Sequence, residues 1–468
     1  METIGLPWTW LMGLRSMLRN LIVPALLLLP ASAAGEAGED RPYGLDSGPG
    51  SRAFLDRPPD ERGAIPSLLS QTGAFTETRT LKADPALIPY DLNVAFWSDG
   101  AAKSRWISLP RGGSGQSEKI RFSPTGEWKF PPGTVFVKHF ELATDETRPD
   151  QRRRLETRLL VCDRAGGVYG VSYKWRPDGM DADLIREGQV EPIAIRTARG
   201  SRIQNWQYPG PADCRQCHTP ASGGVLGVNA RQLNGDLTYP RGRTDNQLHT
   251  WNRLGLFEPA VAEADIARLP RLARGDDAGR SLEDRARSYL DANCSQCHRP
   301  GGVVADFDAR YDTPLANQGL IGAPVRIDLG IDGARVIAPN DPWRSTILGR
   351  VETTEPTRMP PLAHEVIDRR GAELLRAWIG SLPGTPALAP PTIRPKGGDY
   401  RGPVRVTLGH PDPGAVLRYT LDGTAPGKVS TAYEGPIEIR RSTTIRARAY
   451  KAGWTRSIAA QETLIVVE

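Results

Sequence analysis

The chain has 468 residues, 39% hydrophobic and 24% charged, a composition that excludes a disordered or collagen-like polypeptide. At about 150 residues per domain the length accommodates about three domains. Sixty Lys and Arg against 54 Asp and Glu leave +6, too small and scattered an excess for nucleic-acid binding, and five cysteines are too few for a disulfide scaffold.

Arg15 and Arg19 precede an apolar run over residues 21–29, and Ala31-Ser32-Ala33 follows it. A basic start, a short apolar core and an Ala-x-Ala site predict a secretory signal peptide over 1–33. A membrane anchor is the rival, but the run is about half the ~20 residues a spanning helix needs. Pro24 and Pro30 sit in and beside it. No later segment is apolar enough to cross a bilayer, so the expectation is a periplasmic or secreted protein with no membrane span after cleavage.

Residues 34–84, rich in Gly, Pro, Asp and Arg, read as an irregular lead-in. Over 85–204 the pattern is strand-like and predicts a β-rich domain. Tyr169, Val171, Tyr173 and Trp175 alternate, Leu155, Leu159 and Val161 lie on the strand before them, and residues 163–167 make the turn. From 205 to 384 helical spacing appears, with Leu282, Ala286, Tyr289 and Leu290 on one face and Leu374, Leu375, Trp378 and Leu382 on another. A mostly α region is expected there, divided into segments 205–275 and 276–384. Residues 384–399 read as a linker or strand lead-in. Over 385–468 period two returns, in Val404, Val406 and Leu408 and in Ile445, Ala447 and Ala449, and predicts a small immunoglobulin-like β-sandwich.

Four of the five cysteines fall in two identical patterns, Cys214-Arg215-Gln216-Cys217-His218 and Cys294-Ser295-Gln296-Cys297-His298. Cys-x-x-Cys-His is the attachment signature of c-type haem. Two thiols three apart add across the vinyl groups of one porphyrin, and the following imidazole reaches the iron. With 6 His in 468 residues, chance places one after both pairs about once in 6,000. A four-thiolate zinc site is the sharpest rival, and two disulfides or redox dithiols are a third reading. Neither uses a His at the same offset twice. Two haem c are therefore expected, held by Cys214, Cys217, Cys294 and Cys297, with His218 and His298 as axial ligands.

A helix over 282–292 leads into the second motif, and Arg358-Met359-Pro360-Pro361 precedes the last helix of this region. This resembles the class I cytochrome c family and implies Met359 as sixth ligand, which would raise the reduction potential. The first motif lacks a leading helix and a following Met. His249 is the nearest downstream imidazole and the candidate sixth ligand; Met180, His139 and an open position are the alternatives. Cys162 reads as a buried small hydrophobe.

Further runs extend the resemblance: residues 89–93, 96–100, Arg105-Trp106, Pro132-Gly133-Thr134 with Lys138, Glu156-Thr157-Arg158, Tyr173-Lys174-Trp175, Leu226-Gly227 and Gln232-Leu233-Asn234. With the two haem motifs, they resemble a family of exported dihaem c-type cytochromes of uncharacterised role, over 85–384. Residues 419–426, 433–437 and 443–447 resemble the non-catalytic C-terminal domain of chitobiases and β-hexosaminidases, with Asp422 capping a turn. The resemblances imply a periplasmic dihaem electron-transfer protein that exchanges electrons with unidentified redox partner proteins. Its C-terminal domain would dock a glycan or protein. The alternative is a dihaem oxidoreductase of peroxidase type, using an open first haem with the second as relay.

Overall fold

The computed structural model describes residues 65–113, 116–305 and 307–467. The signal peptide expected over 1–33 and the lead-in up to residue 64 lie outside the described residues.

Alternating apolar and β-branched residues build a six-stranded antiparallel sheet. Its strands are Ile88–Pro89, Ala102–Ser108, Val135–Ala143, Arg152–Cys162, Val168–Trp175 and Ala182–Ile185, each paired with the next. The hairpin turn expected at 163–167 closes where Asp163 and Gly167 bond. One face, carrying Val137, Leu159, Val161, Val171, Tyr173 and Trp175, buries Leu69, Ala74 and Phe75. Residues 65–84 of the expected irregular lead-in are thus built into the fold, through the 3-10 turn Leu69–Thr72 and a short pairing of Phe75–Glu77 with Lys82–Ala83. A register shift at Phe140/Glu141 moves Leu155 away from Leu159 and Val161 into a separate core with Phe140 and Leu142.

The opposite face of the sheet carries Ile107 and Phe136. It buries Val225, Val228, Leu233, Leu248 and Trp251 from the segment that follows the first Cys-x-x-Cys-His motif. Cys162 joins this core, and burial pushes its thiol up to about 12.

The expected mostly α haem region is overturned. The molecule is β-rich with a C-terminal β domain, and no all-α cytochrome region is evident. Of seven α-helices among the described residues, only Leu282–Cys294 and Arg369–Ser381 reach 13 residues. The others span four to seven, as in Pro211–Cys214 and Gln247–Arg253. Between Ser295 and Ser345 the chain makes only two 3-10 turns. Helical periodicity read over 282–290 and 374–382 was locally correct. It does not extend because long Gly- and Pro-containing loops separate the helices. This region also interleaves with the sheet domain, since Phe257–Glu258 pairs in parallel with Ile120–Arg121.

The two long helices share a core with Ile337, Ile347 and Leu348. The C-terminal domain has a three-stranded sheet, Thr392–Arg394, Val404–Gly409 and Ile437–Ile439, and a five-stranded one centred on Thr443–Tyr450 and Ala460–Val467. They enclose Val406, Leu408, Ile445, Ala447, Ala449 and Leu464. Of residues 384–399, those up to 391 lead into the first strand, with Leu388 buried in that core, and Thr392–Arg394 is already part of the sheet.

Candidate functional site

Both Cys-x-x-Cys-His pentapeptides fold into the same turn. The first hangs from a single helical turn, Pro211–Cys214, with Pro211 at the helix start where a missing N–H costs nothing. That turn stands where no leading helix was expected. The second ends the helix Leu282–Cys294, whose N-cap Ser281 accepts from the Asp284 N–H. In the first, the N–H groups of Cys217 and His218 donate to the Cys214 carbonyl at 3.3 and 3.0 Å. In the second, Cys297 and His298 donate to Cys294 at 3.1 and 2.9 Å. Residues three apart on such a turn share a face, so each thiol pair points the same way.

The two turns abut. The Cys217 and Cys297 thiols lie side by side, and their interaction lowers Cys297 and raises Cys217. Beside them Arg299 donates to Ala221 O at 3.1 Å and pairs with Glu127 at 2.9 Å. Buried Arg231 gathers Asp291 (3.1 Å), Asp312 (2.9 Å) and Glu127 (3.5 Å). One guanidinium therefore joins the sheet domain to the second motif's helix and the loop after it. Burial nonetheless raises the Asp291 carboxyl, with Arg231 pulling the other way.

A cavity of about 220 Å³ lies over the first motif. Cys214, Cys217 and His218 form one wall, and Ser295 and Gln296 of the second motif close another. His218 donates from Nδ1 to Gly224 O at 2.6 Å, which fixes the ring and leaves Nε2 as its free ligand atom. Burial pushes the imidazole down to about 4, so it is neutral at pH 7, as a metal ligand must be. Gly170 floors the site: a Cβ there would lie 2.5 Å from Cys214 Sγ. Paired thiols, an oriented neutral imidazole and an adjoining cavity fit a c-type haem.

At the second motif, His298 stacks on Phe307 with centroids 4.2 Å apart and planes 11° from parallel. Its Nδ1 is buried without a hydrogen-bond partner. Burial, helped by the Arg350 charge, pushes this imidazole also down to about 4. Met359 is half-buried, and its N–H donates to Arg350 O at 3.0 Å. Arg350 thus neighbours both residues expected at the second iron.

His249 stands on Gln247–Arg253 with Nδ1 3.7 Å from Asp245, and it is not among the residues lining the cavity. Neither is exposed Met180, nor His139, which is buried against Thr157 Oγ1 at 2.8 Å. The five cysteines form no disulfide with one another, and among the described residues no group of three or more His, Cys, Asp or Glu side chains could hold a metal ion.

Arg105, Lys138 and Arg158, which stood in the resemblance runs without an assigned role, line the sheet side of the cavity. Among the runs that carried the family resemblance, Trp97 and Asp99 now have contacts. Trp97 Nε1 donates to Val366 O at 2.8 Å, its N–H to Asn293 Oδ1 at 2.7 Å, and Asp99 Oδ1 accepts from the Val366 N–H at 2.9 Å.

At the far end of the chain, Asp422 Oδ1 accepts from the Thr424 N–H at 3.0 Å and its hydroxyl at 2.6 Å, a side-chain-capped turn. Residues 395–461 match the chitobiase/beta-hexosaminidase C-terminal domain. The matched residues lie within the two-sheet unit. A search of the curated proteins matches none. No cytochrome family is shown for 85–384, so the haem reading rests there on the two motifs and their turns.

Proposed function

We propose that this protein is an exported dihaem c-type cytochrome that transfers electrons through two covalently bound haems. The observation that carries the reading is the repeated turn: two Cys-x-x-Cys-His pentapeptides with the same hydrogen bonds, their Cys217 and Cys297 thiols in contact. Bound at those turns, each haem would supply a one-electron iron couple. The chain's own part is to hold and orient. His218 is aimed by Gly224 O, His298 is stacked on Phe307, and Arg231 and Arg299 lock the two motifs together. Met359 is the sixth ligand proposed for the second iron. The C-terminal domain would dock a protein or glycan.

A second reading, a haem oxidoreductase working at the first motif, is favoured by the cavity. Among the described residues His218 is the only imidazole lining it and no Met does, so an iron held there would be open to a small molecule. For the first haem, His249 remains a proposed ligand only if the Gln247–Arg253 helix moves.

Both readings are tested on protein exported from a host that matures c-type cytochromes. Mass and a spectroscopic redox titration should count two haems; a colourless product, or zinc on the thiols, would end the case. Carbon monoxide or cyanide binding to one iron selects the enzyme, and two irons closed to both ligands select the carrier.

A further inference from the structure

The sheet presents an uncommon row of charge to the first motif. Arg105 faces Lys138 across one strand pair, and Lys138 faces Arg158 across the next. Cross-strand partners project from the same face, so the three cations stand side by side over about 10 Å, two inter-strand spacings. All three line the cavity that also holds Cys214, Cys217 and His218. Like charges directly opposite one another destabilise a sheet, so a fold that keeps three in line has left something uncompensated.

The flanking members are compensated. Arg105 pairs with Asp91, and Arg158 makes a two-pronged bond to Glu156 at 2.9 and 2.6 Å. Glu156 is further engaged by Trp206 Nε1 at 3.1 Å. The neighbouring ammonium of Lys103 donates to Phe96 O. Lys138 is different. Its Nζ lies over the Phe140 ring, 5.0 Å from the centroid, and among the described residues it meets no carboxylate. The carboxylates elsewhere around the cavity are occupied: Glu127 and Asp291 by Arg231 and Arg299, and Asp213 by the Gly210 N–H at 2.9 Å.

We propose that the row Arg105, Lys138 and Arg158 is an anion site that takes a carboxylate-type group inside this cavity, with Lys138 as its central contact. The anion would supply the counter-charge that the protein withholds from Lys138 and would relieve the repulsion along the row. Burial together with the Lys103, Arg105 and Arg158 charges outweighs the Glu156 carboxylate, which is tied to Arg158, and presses the Lys138 ammonium well below its ordinary range, the condition an incoming anion would reverse. The carboxylate has two conceivable sources, a small free acid or the carboxylates of the porphyrin itself; the second source alone rests on the haem reading.

The test uses the full exported protein and formate as probe. Lys138→Met keeps the side-chain length and removes the repulsion, so it should fold with an unchanged or higher Tm in formate-free buffer. If the source is a free acid, calorimetry should show formate binding at least tenfold weaker in Lys138→Met and largely regained in Lys138→Arg. If the source is the porphyrin, formate should not bind to wild type, and Lys138→Met should lower the midpoint potential of one haem with both haems still attached by mass. Wild-type formate binding and both midpoint potentials unchanged in a folded Lys138→Met would overturn the proposal. A colourless wild-type product would end the haem reading alone, and the formate titration on that product would still support or refute the anion site.

Discussion

At the scale of single residues, the two His side chains illustrate how one sequence pattern acquires two environments. His218 is fixed by the Gly224 carbonyl, whereas the Nδ1 of His298 has no hydrogen-bond partner and its ring rests on Phe307. A ligand oriented by a hydrogen bond is a stronger donor, so the two irons should differ in potential. Replacing Met359 by Ala should lower the potential of one haem and leave the other unchanged; a titration with two unmoved midpoints would refute its ligand role. The two Cys-x-x-Cys-His turns were legible in the sequence because their residues are contiguous. The role of Lys138 was not, since an ammonium in a strand says nothing about what stands across the sheet.

Asp99 carries a second residue-scale consequence. Burial raises its carboxyl to about 6 while its Oδ1 accepts from Val366, and its φ of 51° is one Asn also tolerates. Between about pH 4 and 6 the folded chain keeps a proton that the unfolded chain has lost. Asp99 therefore withdraws stability as pH rises through that window, by about 1–3 kcal/mol in all. Asp99→Asn retains the acceptor and should flatten this part of the pH profile while raising stability at pH 7. Urea denaturation at pH 4, 5, 6 and 7 measures it, and parallel profiles for the two proteins would refute the assignment.

At the scale of elements, helix and strand were legible wherever one face alone is buried. The helices Leu282–Cys294 and Arg369–Ser381 fall where Leu282, Ala286, Tyr289 and Leu290 and then Leu374, Leu375 and Trp378 mark a stripe. Their crossing depends on Gly371, where an added Cβ would lie 2.3–2.6 Å from the Tyr289 ring. Gly371→Ala should cost about 1–3 kcal/mol despite Ala being the better helix former, because overpacking outweighs propensity. Thermal unfolding checks this, and a stabilised variant would show the crossing to be looser than described. Leu155 marks the limit of pattern reading: it is the extra residue opposite Phe140/Glu141, which sends it to another core, and the strand's own period does not encode where such a bulge falls.

At the scale of the whole molecule, ion pairs join segments far apart in sequence. Asp332 pairs with Arg448 and Arg456 of the C-terminal domain at 2.9 Å each, and Arg344 donates to Arg456 O at 3.0 Å. The Arg231 cluster does the same between the sheet domain and the second motif. Arg231→Met would strand buried Asp291 without its counter-charge and should cost about 3–5 kcal/mol, least at low pH where that carboxyl is protonated. Denaturation at pH 5 and pH 8 checks both magnitude and trend; an equal, small loss at each pH would show the cluster to be solvent-relaxed.

The repeated turn of the two pentapeptides, the run of β-strands and the C-terminal domain type were determined by the sequence alone, because each depends on neighbours within a few residues or on a short repeating period. Tertiary structure decided what those local signals leave open: that the region around the motifs is β-rich rather than an α cytochrome bundle, that Cys217 meets Cys297, and that Arg105, Lys138 and Arg158 line up over His218. These depend on which strand pairs with which and in what register, and that is set by the competition of distant apolar faces for the same core rather than by any local preference of the chain.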